Sequence, residues 1–259
     1  MTYKCPRGTD LFSRLSTCEV DNYLVFWENR SMVGDIYHIC NRGIRKEKIF
    51  DSESDYFRFV LNLYRLNNKG ESLRINPSRK SIDSYPEQEK IIEILKWTLL
   101  PNHYHLLLYE KVDGGVLEFV KRLGNSYTKY INIKREKSGY LFQNHAQIIQ
   151  IKNDRHFLYI PFYIDLNLLD LIYPKNEKRK IDVKKSLDFF KNYKWSSFRD
   201  YFGNQNSPFS KIINKDLFYE TFDVDSETYP KELCEFLEGD EYETLKGELE
   251  KDKLVNLTG

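Results

Sequence analysis

The sequence predicts an α+β fold, an antiparallel sheet with helices packed on it, and three observations carry that prediction. Two β-prone runs, Ile91–Leu100 and His103–Tyr109, are separated only by the breaker Pro101-Asn102, the pattern of an antiparallel hairpin. From about Val116 to Arg135, Leu117, Val120, Leu123, Tyr127, Tyr130 and Ile131 recur near helical spacing. A further short β-prone run, Asp35–Cys40, is followed by the turn formers Asn41-Arg42-Gly43 and then by another helical pattern.

Taken in order, residues 1–33 are mixed, with little periodicity, and read as an N-terminal extension. After the first strand, Ser52 or Ser54 can cap a helix whose apolar positions include Phe57, Val60, Leu61 and Tyr64. Residues 67–86 are polar, contain Gly70, Pro77 and Pro86, and read as a loop. The hairpin follows, then the turn Asp113-Gly114-Gly115 and the long helix, which Ser138-Gly139 stops. Ile148–Ile151 is a short strand candidate. Asn153 or Asp154 can cap the next helix, which carries Phe157, Ile160, Tyr163, Ile164, Asn167 and Leu171. Pro161 lies inside it and should kink it just before Tyr163, because proline removes a backbone donor. Lys175–Lys185 is basic and polar, and the acidic end carries Leu, Phe and Tyr at intervals that suit one or two helices packed on the body.

The 259 residues hold 40 Lys+Arg and 39 Asp+Glu, a formal net charge of +1. That average hides an asymmetry. Residues 220–259 contain 13 acidic and 4 basic side chains, a net of −9, which leaves 36 basic and 26 acidic, a net of +10, in residues 1–219. A basic body with an acidic end is the kind of split that points to a polyanion partner, with ordinary solvated Lys-rich and Glu-rich faces as the plain alternative. With 41% hydrophobic and 15% aromatic residues the chain can bury a sizeable core. Cys5, Cys18, Cys40 and Cys234 are scattered without a CxxC, which disfavours a zinc ribbon or redox motif and suits a reducing compartment. The start of the chain lacks a signal peptide's apolar core, and no apolar run approaches the ~18–20 residues that span a bilayer. A secreted scaffold, a collagen, a coiled coil and a membrane protein are all disfavoured.

The sharpest chemical feature is His103-Tyr104-His105. Side chains alternate across a strand, so the two imidazoles share a face and form a natural pair of ligands for one divalent cation. An isolated His-x-His is a weak motif, and paired half-buried histidines are the plain alternative. Spacing is no better for the tyrosines. Tyr163 and Asn167 stand four apart on one helical face, yet Tyr37/Asn41, Tyr64/Asn68 and Tyr140/Asn144 share that spacing. His38, His145 and His156 are read as hydrogen-bonding side chains without a metal role.

His103-Tyr104-His105 resembles the His-hydrophobe-His (HUH) motif of single-tyrosine endonucleases. The wider sequence is similar to the bacterial transposases related to insertion sequence 200, above all the REP-associated tyrosine transposases. Five blocks carry the resemblance in order over roughly residues 35–202. They are Tyr37–Gly43 with Ile49-Phe50, Leu99–His105, Ser126–Asn132 with Ser138–Gln143, Tyr163–Asn167, and Trp195-Ser196-Ser197-Phe198 with Tyr201.

The resemblance implies a ferredoxin- or RRM-like HUH endonuclease core at 34–202, after the extension 1–33 and before an acidic helical tail at 203–259. It implies a transposase that cleaves and rejoins single-stranded DNA at hairpins, with Tyr163 as nucleophile. His103, His105 and Asn167 would be ligands of Mg²⁺ or Mn²⁺, although imidazoles also accept Zn²⁺ or Ni²⁺. In this chemistry the tyrosine takes the 5′ phosphate and leaves a free 3′ hydroxyl. The rival nucleophiles Tyr127 and Tyr130 have Ile131 and Lys134 four residues on, neither a good metal ligand.

Expected DNA contacts are Arg42, Arg45, Lys46, Lys121, Arg122, Lys129, Lys134 and Arg135. A monomer or homodimer in the bacterial cytoplasm, near the nucleoid and away from membrane, completes the expectation. The chain departs from the family pattern at Leu168, where proline is usual, at Pro161, and at Asn144-His145-Ala146-Gln147, where a Gly-Arg pair is common. The alternative is therefore a binding module for single-stranded nucleic acid that has lost cleavage on the same scaffold. A relaxase shares the chemistry, but the Trp-Ser-Ser block and the single-tyrosine helix argue against it.

Overall fold

The computed structural model describes residues 34–71, 73–74, 82, 85–173, 181–202 and 207–239. The extension 1–33 and the end of the acidic tail lie outside them. The first six elements run β1 (Ile36–Arg42), α1 (Glu53–Arg65), β2 (Ile92–Leu100), β3 (His103–Glu110), α2 (Gly115–Lys134) and β4 (Gln147–Gln150). All strand pairs are antiparallel, in the order β2-β3-β1-β4. That is the split βαβ arrangement of ferredoxin-like folds: each crossover helix joins two strands with a third lying between them. The α+β fold expected from the sequence is the one observed.

Each helix starts for a local reason. Ser52 is the N-cap of α1, and the Asp55 carboxylate accepts from the backbone N–H groups of Asp51 and Ser52. At the end of β1, Gly43 leaves room for a tight turn, since a Cβ there would stand 2.2 Å from the Glu47 carbonyl oxygen. The turn continues through Arg45 and Lys46, both with positive φ. Its strands are stitched to the loop after α2 by Ile44 N–H to the Leu141 carbonyl and Gln143 N–H to the Arg42 carbonyl.

The pairing register sorts side chains between the faces of the sheet. Cys40 lies opposite His105, Arg42 opposite His103, and Asn41 opposite Tyr104. Tyr104 turns to the face covered by α1 and α2, where its ring meets Phe59 and Phe59 meets Tyr127. His103, His105, His38 and Cys40 turn to the other face. There α3 (Asp154–Leu166) crosses the sheet, with the Asn153 side chain accepting from His156 N–H at its start. The helix runs on through Pro161 and passes into a 3₁₀ turn, Asn167–Leu171. Every residue from Tyr159 to Leu166 is buried, because further helices cover α3 from outside.

Those helices follow α4 (Val183–Asn192). They are α5 (Lys215–Phe222) and α6 (Thr228–Glu238). Phe157 stacks on Phe222, and Phe162 stacks on Tyr229 and Phe236. The acidic end thus supplies packed helices, as its apolar spacing suggested. Trp195-Ser196-Ser197 lies along the outer edge of β2: Leu99 N–H donates to the Trp195 carbonyl and Ser197 N–H to the Trp97 carbonyl. Covering that edge satisfies backbone groups that would otherwise offer a pairing template. No described helix is long and apolar enough to cross a membrane.

Candidate functional site

The site lies between the central strands and α3. His38 and Cys40 are two apart on β1 and share a face; His105, directly opposite Cys40, joins them from β3. His38 Nε2 and His105 Nδ1 are 2.9 Å apart, with their rings stacked 5.2 Å between centroids and 11° from parallel. Cys40 Sγ donates to Gln147 Oε1 on β4 at 3.1 Å. His38, Cys40 and His105 are all buried, and their ligand atoms lie within 4.8 Å of one another. Among the described residues they are the one group of three His, Cys, Asp or Glu side chains so placed.

Tyr163 reaches this group from α3. Its ring stands edge-on to His38 at 5.7 Å and to His105 at 5.6 Å. His103 extends the row, T-shaped to His105 at 5.2 Å, and its Nδ1 pairs with Asn102 Oδ1 at 2.7 Å. Asn167 sits where α3 ends, its carboxamide nitrogen donating to the Tyr163 carbonyl at 2.6 Å. The structure therefore brings Tyr163, His105 and His103 into one row, and ties Asn167 to the backbone of the tyrosine. Tyr163 is 5% exposed and His105 3%, so the cluster is enclosed.

The rival tyrosines are committed elsewhere. Tyr127 is fully buried on the opposite side of the sheet, and its hydroxyl donates to the Ile49 carbonyl at 2.8 Å. Burial, with nearby Asp55, pushes its phenol well above the ordinary range. The Tyr130 hydroxyl donates to Asp55 Oδ1 at 2.9 Å, and burial and that carboxylate raise it also.

The basic residues divide. Arg42 ends β1 opposite His103, and Arg45 and Lys46 stand exposed in the turn beyond it. Lys121 and Lys129 are exposed on α2, across the sheet from the histidines. Arg122 bonds Glu118 and the Asn68 carbonyl, Lys134 bonds Asp55, and Arg135 bonds Asp51. These three serve ion pairs within the chain.

A second buried polar group lies under α3 at β2. The register slips between Ile94 and Lys96, so Leu95 is an extra residue. This bulge turns Lys96 onto the α3 side; unbroken alternation would have kept it on the face of Ile94. Lys96 Nζ meets Asp165 Oδ2 at 2.5 Å, and Tyr229 OH donates to the same oxygen at 2.6 Å. The rings of Tyr201, Phe218 and Tyr229 surround the ammonium. Burial pushes the lysine below its ordinary range and the carboxyl above its own, against their mutual attraction.

A ferredoxin-like sheet with a histidine–thiol–phenol cluster beneath a buried helix is what the fold and site define. The sequence matches no protein-family profile and no curated protein. Among solved structures it is similar to a REP-associated tyrosine transposase bound to a REP hairpin, at 13% identity and a TM-score of 0.41, over 65% of this chain and 79% of that one.

His38 and Cys40 are the site residues that sequence reasoning missed. His38 does make a hydrogen bond, as expected of it, but its partner is the candidate ligand His105. The signal is present in the sequence: His38-Ile39-Cys40 has the same one-residue spacing as His103-Tyr104-His105, and both runs are β-prone.

Proposed function

We propose that the protein is a tyrosine-dependent single-stranded DNA strand transferase of the HUH transposase type. The observation that carries the reading is the position of Tyr163, the tyrosine selected by resemblance, with its ring against both His38 and His105. In the proposed reaction the Tyr163 hydroxyl oxygen attacks the phosphorus of a DNA phosphodiester. The bond from phosphorus to the 3′ oxygen breaks, a 5′-phosphotyrosine forms, and the 3′ oxygen leaves as a hydroxyl after taking a proton. An adjacent imidazole is suited to accept the phenolic proton. Rejoining is the reverse step, attack of a 3′ hydroxyl on the phosphotyrosine.

A divalent cation bound at the histidines would polarise the scissile phosphate. His105 is common to the pair expected from the sequence and to the cluster with His38 and Cys40, so the cation in this reading is held through His105. Arg42, Arg45 and Lys46 lie at the His103 end of the strands and suit a phosphate backbone approaching there. The partner in this reading is a hairpin-bearing single strand. The enclosure of Tyr163 means that a strand gains access only after the covering segments open.

That same enclosure favours one second reading, a binding module for single-stranded nucleic acid that no longer cleaves. Incubation of the full-length protein with a labelled hairpin-bearing single strand and Mg²⁺, Mn²⁺ or Zn²⁺ separates the two. The strand transferase forms a denaturation-resistant adduct that His105→Ala abolishes. Tight binding with no adduct under any of the three metals establishes the binding module instead.

A further inference from the structure

We propose that His38, Cys40 and His105 form a site for a zinc-class cation, with two nitrogen ligands and one sulfur. The inference stands apart from the cleavage reading, because the three residues would bind metal whether or not Tyr163 reacts with DNA. It also replaces the expected preference for Mg²⁺ or Mn²⁺.

Two central strands in register bring the donors together on one face without help from any loop: His38 and Cys40 by alternation along β1, His105 by pairing opposite Cys40. Their ligand atoms lie within 4.8 Å of one another, and the two facing nitrogens are 2.9 Å apart. Around a tetrahedral cation with nitrogen at ~2.0–2.1 Å and sulfur at ~2.3 Å, neighbouring donors stand about 3.3–3.8 Å apart. To admit one, the imidazole nitrogens open by ~0.4 Å and the Cys40 sulfur, within 4.8 Å of its partners, closes to about 3.5 Å.

Chemistry selects the ion. Thiolate and imidazole are soft to borderline donors that favour Zn²⁺ or Co²⁺, whereas Mg²⁺ demands an oxygen shell. Binding would displace the proton between the two imidazoles and the proton of the Cys40 thiol, so affinity would rise with pH. Gln147, paired opposite Cys40 on β4, already places its Oε1 3.1 Å from the sulfur. It is positioned to supply a neutral oxygen or to orient the thiolate. One thiolate leaves the site with a net positive charge beside the Tyr163 ring. His103 is not part of the group; its Nδ1 pairs with Asn102.

The test uses the full-length protein without DNA. Zn²⁺ alone is added, unbound metal is removed, and bound metal is counted by elemental analysis. Co²⁺ is then substituted and its absorption spectrum recorded. The expected results are one ion per chain and intense tetrahedral cobalt bands with a near-ultraviolet thiolate-to-cobalt charge-transfer band. A Cys5→Ser/Cys18→Ser/Cys234→Ser variant should keep that band. Cys40→Ser should lose it and weaken Zn²⁺ binding by more than ~100-fold. His103→Ala should leave the spectrum unchanged.

A wild-type cobalt spectrum without the charge-transfer band overturns the proposal, and needs no variant that might misfold. So does metal binding that survives Cys40→Ser but is lost in His103→Ala. Because no DNA is present, failure here is distinct from failure to form a DNA adduct.

Discussion

Two buried polar groups lie under the same helix, and they are built to opposite ends. At β2, Lys96, Asp165 and Tyr229 join a strand, α3 and α6 through bonds of 2.5–2.6 Å inside an aromatic cage. At the centre of the sheet, His38, Cys40 and His105 offer groups that ordinarily exchange protons or bind cations, with Tyr163 beside them. Tyr163 and Asp165 are two residues apart on α3, so anchoring at Asp165 limits how the tyrosine can be presented. The first group is suited to holding, the second to reacting. Lys96 and Asp165 already find partners in each other and in Tyr229, whereas donors that can give up protons can be recruited by a cation.

The largest loss of stability is expected from Lys96→Met, which strands the Asp165 carboxylate and should cost about 3–5 kcal/mol in urea unfolding. Lys96→Met/Asp165→Leu should recover most of that loss; a silent single variant would show that the pair holds nothing.

Asp55 provides the next effect. It caps α1 and receives Tyr130 and Lys134 from α2, and Asp55→Ala should cost about 1–3 kcal/mol. Burial alone would raise this carboxyl, but its bonds from Lys134, Tyr130, the Asp51 N–H and Ser52 outweigh burial and hold it below the ordinary range. Its stabilising contribution is therefore complete above the usual carboxylate pKa of ~3.9 and is lost as pH falls through the lower folded value. Urea midpoints measured down that range should fall less steeply in Asp55→Asn than in the wild type.

Smaller still is Tyr127→Phe. It removes the bond to the Ile49 carbonyl, should cost about 1 kcal/mol, and should leave any DNA adduct intact. Tyr163→Phe sharpens the contrast: stability within about 1 kcal/mol of wild type, with the adduct gone.

The hairpin, the shared face of His103 and His105, and the caps at Ser52 and Asn153 were legible because each depends on neighbours in sequence. Membership of His38 and Cys40 in the cluster was not, because it depends on β1 pairing with β3, 67 residues away for the His38–His105 bond. The ion pairs of Lys134 and Arg135 were hidden for the same reason: their carboxylate partners, Asp55 and Asp51, are 79 and 84 residues distant. The helix Val183–Asn192 begins inside the basic, polar stretch Lys175–Lys185, which obscures its first turn; beyond that, Val183, Ser186, Leu187 and Phe190 do recur at helical spacing, and Ser186 and Phe190 are buried. Trp195-Ser196-Ser197 stood out as a block of resemblance, but its service to the edge of β2 needed the structure.

The most direct test of the account is to find where DNA becomes attached. Full-length protein is reacted with a hairpin-bearing single strand, digested with trypsin and nuclease, and the modified peptide is fragmented in a mass spectrometer. A phosphonucleotide is expected on the peptide His156–Lys175, localised to Tyr163 rather than Tyr159 or Tyr173. The same modification on Tyr127 or Tyr130, with Tyr163 unmodified, would contradict it.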